Sequence, residues 1–121
     1  MISVAARLDA PLDHLEACLL LSLAERPAYG YELQRSLQDL AVDVRDLGRI
    51  YRALRSMEER GLVASHWDTG GRGPARRTYD LTAAGADQLR SQADAVRRRR
   101  RALSRFLGRY ERVESRAGAV A

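Results

Sequence analysis

Leucine crowds the first strongly patterned block of the chain, Leu12 to Ala24. Leu15, Leu19, Leu20, Leu21 and Leu23 cover more than one face of a helix, which predicts an element central to the core. Ser3 to Ala10 before it lacks periodicity and reads as an arm or a short helical extension, and Pro27 closes the block. From Tyr29 to Leu40 the apolar positions thin to Leu33, Leu37 and Leu40, the i, i+4, i+7 spacing of an amphipathic second helix. Ala41 to Asp46 reads as a turn. Asp43 or Asp46 can cap a third helix that runs to about Arg60, where Gly61 stops it. Leu62 to Asp68 and Arg76 to Leu81 read as paired strands. The three Gly and one Pro of Thr69–Ala75 between them predict a hairpin loop longer than the two-residue kind.

Thr82 can cap a last helix reaching about Ser115. Ala86, Leu89, Ala93, Val96, Leu103, Leu107 and Tyr110 follow alternating steps of three and four, broken where Arg100 takes a seam position. A helix of about 32 residues spans about 48 Å, longer than the body before it is wide. The expected fold is mainly α with a small β-hairpin: a helix-turn-helix unit with a wing over residues 1–81, then a C-terminal helix over 82–121. The seam Leu89, Val96, Leu103, Leu107 and Tyr110 then needs a partner, and a second copy of the chain supplies one. The other reading folds the helix back on its own domain.

Charge sharpens this picture. The net charge is +5, and all 21 basic residues are Arg. Residues 1–44 hold three Arg against seven acids, residues 45–79 eight against four, and residues 80–121 ten against five. Such polarity suits a chain that turns one side toward a polyanion, although a charged solvated surface reads the same way. The third helix separates the two. At about 100° per residue, Leu47, Ile50, Leu54 and Met57 share one side, while Arg45, Arg49, Arg52 and Ser56 lie opposite with Arg55 at the margin. Arg72, Arg76 and Arg77 decorate the wing, whose glycines let backbone approach phosphate. A short turn followed by an arginine-faced helix is the order of a DNA-reading module.

Other residues carry two readings each. Tyr29 can meet a phosphate at the N-terminus of the second helix, with Gly30 leaving room, or can pack on the third helix. Tyr51 can be core, or can pack its ring and offer its hydroxyl to DNA. Trp67 is expected to cover the junction of wing and helix. The run Arg97–Arg101 points all round its helix. It is either solvated or, through Arg97, Arg100 and Arg101, an anion site where two subunits meet. Arg100 at a seam needs a counter-charge, for which Glu16 and Asp94 are candidates.

His14 and Cys18 are four apart, but two ligands do not make a metal site. Cys18 reads as inert core, and a single Cys fits a reducing compartment. With no nucleophile motif, paired carboxylates or phosphate loop, no enzyme, cofactor or metal is expected. No apolar run reaches the roughly 18 residues of a membrane span, and Met1–Asp9 shows no secretory signal, so the expected location is the cytoplasm.

Four segments, in order, together resemble the PadR family of bacterial transcriptional regulators. They are Tyr29-Gly30-Tyr31-Glu32-Leu33, Ile50-Tyr51-Arg52-Ala53-Leu54, Glu58-Glu59-Arg60-Gly61-Leu62-Val63 and Tyr79-Asp80-Leu81-Thr82-Ala83-Ala84-Gly85. Arg52 stands where many members have Pro. The resemblance implies a winged helix-turn-helix, a homodimer, repression from a near-palindromic double-stranded operator, and release by a small-molecule effector. It also implies an aromatic pocket near the dimer interface. The aromatics of this last helix, Phe106 and Tyr110, do not reproduce that pocket, and the one Trp lies in the wing. The DNA-contacting set expected here is Tyr29, Arg45, Arg49, Tyr51, Arg52, Arg55, Arg72 and Arg76. The alternative is a winged-helix module that binds protein, for which an acidic or apolar third-helix face would be the sign.

Overall fold

The computed structural model of the chain describes residues 14–71 and 73–120. The expected arm, the first helix's start at Leu12, and the wing residue Arg72 lie outside them. Among the described residues the order is α1 (His14–Glu25), β1 (Ala28–Tyr29), α2 (Gly30–Asp39), α3 (Leu47–Glu59), β2 (Val63–Asp68), β3 (Arg76–Leu81) and α4 (Ala83–Val120).

The leucine-rich α1 is the central element. Ala17, Cys18, Leu19, Leu20 and Leu23 are buried, and α2, α3, β3 and α4 all pack on it. Leu21 is the exception: it is 39% exposed, because four neighbours cover only part of the helix's circumference. Ser22 turns inward without an energetic debt. Its hydroxyl bonds the Cys18 carbonyl at 2.9 Å and the Ser36 hydroxyl at 2.6 Å. Leu33, Leu37, Ile50, Leu54, Met57 and Val63 complete the core.

Helix ends follow local chemistry. Asp46, not Asp43, caps α3, its carboxylate accepting from the Gly48 N–H at 2.9 Å; Asp43 instead faces Arg45 at 3.3 Å. At the other end of α3 the chain turns left-handed at Gly61, φ 76°. The Gly61 N–H then reaches the Glu58 carbonyl at 3.0 Å, and the Leu62 N–H the Met57 carbonyl at 2.9 Å. The end of α2 repeats this geometry with alanine. Ala41 sits at φ 59°, and Ala41 and Val42 donate to Gln38 and Leu37 at 3.0 and 2.9 Å. A side chain in that conformation costs about 1–2 kcal/mol that glycine avoids.

The sheet corrects the expected start of the second helix. Ala28 and Tyr29 are not helical: they pair antiparallel with Tyr79 and Thr78, so the hairpin gains a third strand in the order β1-β3-β2. Two residues are too few for any alternation to register in sequence. The hairpin itself is regular, from Val63 opposite Leu81 to Asp68 opposite Arg76.

The last helix runs 38 residues, past the expected Ser115, and so is about 57 Å long. Its start is stitched to the end of α3. The Thr82 hydroxyl accepts from the Gly85 N–H at 3.0 Å and donates to the Gly61 carbonyl at 2.6 Å. Gly85 lies so close that a Cβ there would drive into the Leu62 carbonyl oxygen.

Candidate nucleic-acid interface

Ile50, Leu54 and Met57 lock α3 into the core, and Leu47 is half-buried. That fixes the opposite face outward, with Arg45, Arg49, Arg52 and Arg55 all exposed. Arg45 precedes the helix and is held by Asp43. Arg52 lies back over Gly48, and its Nη2 stands 3.6 Å from the same Asp46 carboxylate that caps the helix. Pairs this exposed are worth little in water and exchange readily for a phosphate or a base edge.

The wing is tied to α3 through one acid. Glu58 accepts from the Ser65 hydroxyl at 2.7 Å and faces the Arg77 guanidinium at 3.6 Å, while Arg77 Nε donates to Ser65 at 2.9 Å. Both hairpin strands are thereby braced against the helix. Arg77 also lies 5.8 Å from the Trp67 ring, and Arg76 lies 4.7 Å from the Tyr29 ring.

Between α3 and the wing opens a cleft of about 800 Å³, walled by Tyr29, Tyr31, Tyr51, Trp67 and Tyr79 and edged by Arg55, Arg76 and Arg77. Burial pushes the Tyr79 phenol above its ordinary value, with Arg77 opposing the shift. The structure therefore brings Tyr29, Tyr51, Arg55 and Arg76 to one place. Arg49 and Arg52 lie on the exposed face of α3 but outside the cleft lining, and Arg72 lies outside the described residues.

Three expectations change here. Trp67 borders the cleft between α3 and the wing without closing it: it is 61% exposed, because the wing projects beyond the body and its strand alternation no longer finds a core. Gly30 makes room for a side chain rather than a phosphate. A Cβ at Gly30 would sit 2.6 Å from both Cζ and the hydroxyl oxygen of Tyr51, so the hydroxyl end of that side chain packs there while the residue stays 41% exposed. The Tyr29 N–H is already taken by the Glu32 carboxylate at 3.2 Å.

Along α4, Leu89 packs against its own domain's core, whereas Val96, Leu103, Leu107 and Tyr110 are exposed. Phe106, at 65%, and Val113 are exposed too and were not anticipated. With the seam's own Tyr110 they stand at i, i+4, i+7, a second row that branches from the seam. Arg100 borders a hollow with His14, Arg99, Val96, Leu103 and Leu107, and neither Arg97 nor Arg101 joins it. The acids considered for Arg100 are engaged elsewhere. Glu16 holds Arg60 at 2.6 Å, and Asp94 holds Arg97 at 2.7 Å. The Cys18 thiol lies 3.6 Å from His14 Nε2, and burial pushes its pKa up. No cluster of metal-ligating side chains occurs among the described residues. No helix there is long and apolar enough to cross a membrane.

The helix-turn-helix, the wing and the start of α4 coincide with a family match. Residues 19–91 fit the model of the transcriptional regulator PadR-like family. The chain belongs to the PadR-like family. Solved structures agree. A PadR family transcription regulator from Clostridium difficile superposes with a TM-score of 0.70 at 25% identity, over 78% of this chain and 98% of that one. A putative transcriptional regulator from Thermoplasma acidophilum gives 0.70 at 30% identity, over 80% and 93%. A PadR-like regulator from Bacillus cereus gives 0.69 at 27%, over 77% and 90%. Comparison with curated proteins gave no match. A PadR-like regulator is a DNA-binding transcription factor.

Proposed function

We propose that this chain is a dimeric repressor that reads a near-palindromic operator and is released by a small-molecule effector. The observation that carries the reading is the exposed arginine face of α3, whose Arg55 meets the wing-root arginines Arg76 and Arg77 across one cleft. A helix of this width fits the major groove, where Arg49 and Arg52 can address guanine edges bidentately. Arg45, Arg55 and Arg76 sit at the flanks, where phosphates pass, with Tyr29 and Tyr51 lining the cleft beside them. The exposed apolar rows of α4 support a homodimer, which places two recognition helices about one turn of DNA apart. An anionic effector reaching Arg100 would alter the angle between subunits, provided it binds the two dimer forms unequally. The exposed face of α3 is neither acidic nor apolar, which disfavours the protein-binding alternative.

The test is fluorescence anisotropy with DNA from upstream of the chain's own coding region against scrambled DNA, at fixed salt. A preference of at least about a thousandfold is expected for the true site. Equal binding to both would overturn sequence-specific regulation and leave the protein-binding module.

A further inference from the structure

Steps of three and four along the outer arm of α4 pick out a line of arginines. Arg98, Arg101, Arg105, Arg109, Arg112 and Arg116 fall within an arc of about 80°, over about 27 Å of helix. All six are exposed. The ion pairs of α4 among the described residues, Asp87 with Arg90 and Asp94 with Arg97, lie nearer the body and do not reach the line. Beyond Asp94 the helix has two acids, Glu111 and Glu114, and both stand about 120° or more from the centre of the line. The apolar side is farther still. Leu89, which packs on the body, and the exposed Val96, Leu103 and Leu107 lie about 160–180° round the helix.

Such a line, with no acid beside it, fits a polyanion, and its surroundings choose which. A lipid surface would take up the apolar rows and want its arginines at their margins; here the arginines point the opposite way. A single strand of nucleic acid would want rings between the charges to stack its bases, and the line holds none. A duplex asks only for phosphate contacts along a stiff edge, and offers roughly one charge per 1.7 Å of its axis. We infer that the line is a second DNA-binding surface, which holds a duplex through its phosphates, without regard to sequence, while α3 engages another. This rests on the chain's family being DNA-binding regulators. It does not depend on what covers the apolar rows, because a cover laid there leaves the line free. A single short duplex held at α3 does not engage the line. The arm acts where two segments of DNA meet, and ties them together.

The experiment loads the full chain onto beads carrying a mixed-sequence duplex, washes them, and adds a second, labelled duplex. The comparison is a variant with Arg105→Gln, Arg109→Gln, Arg112→Gln and Arg116→Gln together, matched for helix content by circular dichroism. The unaltered chain should capture the second duplex, and the variant should capture at least about tenfold less per retained chain. Capture by the unaltered chain should also fall more steeply with salt, by up to about one unit of log–log slope for each arginine. Equal capture by the two would overturn the surface, and so would an unaltered chain that is retained on the first duplex but captures none of the second. Loss of binding to phosphatidylserine vesicles in the variant, with capture unchanged, would give the line to a lipid surface instead. A chain not retained on the first duplex at all would overturn DNA binding itself, a separate outcome.

Discussion

The body of this molecule and the outer half of α4 are built from the same residue types and treat them in opposite ways. In the body, Leu19, Leu20, Leu33, Leu37, Ile50, Leu54 and Met57 are fully enclosed, and Arg52, Arg60, Arg76 and Arg77 each lie against a named neighbour. Beyond Val96, α4 leaves Leu103, Phe106, Leu107, Tyr110 and Val113 in contact with water, and Arg98 to Arg101 follow one another along its surface. The body is a finished fold. The outer arm is a regular helix whose packing is unfinished, held by its backbone ladder and its amphipathic pattern alone. Leucine is thus enclosed in one region and exposed in the other.

The sharpest way to break this comparison is to remove a leucine from each region. Leu54→Ala opens a cavity in a closed core and should lose about 2–5 kcal/mol of unfolding free energy in urea. Leu103→Ala, 54% exposed, should change the stability of the dilute chain by less than about 0.5 kcal/mol, while weakening self-association. Equal losses in urea would erase the distinction.

Arginines test it next. Arg52→Ala should cost about 1–3 kcal/mol of operator binding and relax preference at one base pair, with unfolding unchanged. Unaltered affinity and preference, measured by anisotropy on a set of operator variants, would remove Arg52 from the reading face. Arg76→Ala should weaken binding across all sequences and flatten the log affinity against log salt by about one unit, the mark of a phosphate contact. The same replacement at Arg98, on the arm, should leave that slope where it was.

The smallest effect lies within the body. The ends of α2 and α3 share one hydrogen-bonding motif but differ in the residue that turns left-handed. Ala41→Gly should stabilise by roughly 1 kcal/mol, and Gly61→Ala should destabilise by a similar amount. Thermal unfolding of the pair reads both. A destabilised Ala41→Gly would mean that the Ala41 side chain makes up for its strained backbone.

How much of this was legible in the chain depends on how local each cause is. The buried stripe of α3, its Gly61 stop, the hairpin and the Thr82 start are all written within a few residues of where they act; the cap is legible only as Asp43 or Asp46, and the Gly48 N–H selects Asp46. The short strand Ala28–Tyr29 was not found, because its pairing is with Tyr79 and Thr78, about fifty residues on. Gly30 was misread for the same reason: the ring that needs its missing side chain belongs to Tyr51, on another helix. Trp67 is expected to cover the junction of wing and helix, yet nothing local says how far a wing projects. Ala41 hid its left-handed turn by not being glycine. The second apolar row of α4 adds Phe106 and Val113 to the seam's Tyr110, and following a single seam misses those two.

The joint at Thr82 and Gly85 has a mechanical consequence. One hydroxyl serves the end of α3 and the start of α4 at once, and the bare Gly85 backbone lies flush on the Leu62 carbonyl, which leaves no slack between them. The third helix and the long arm are then two limbs of one crank. A small rotation imposed near the far end of the arm should swing α3 rather than be absorbed in a hinge.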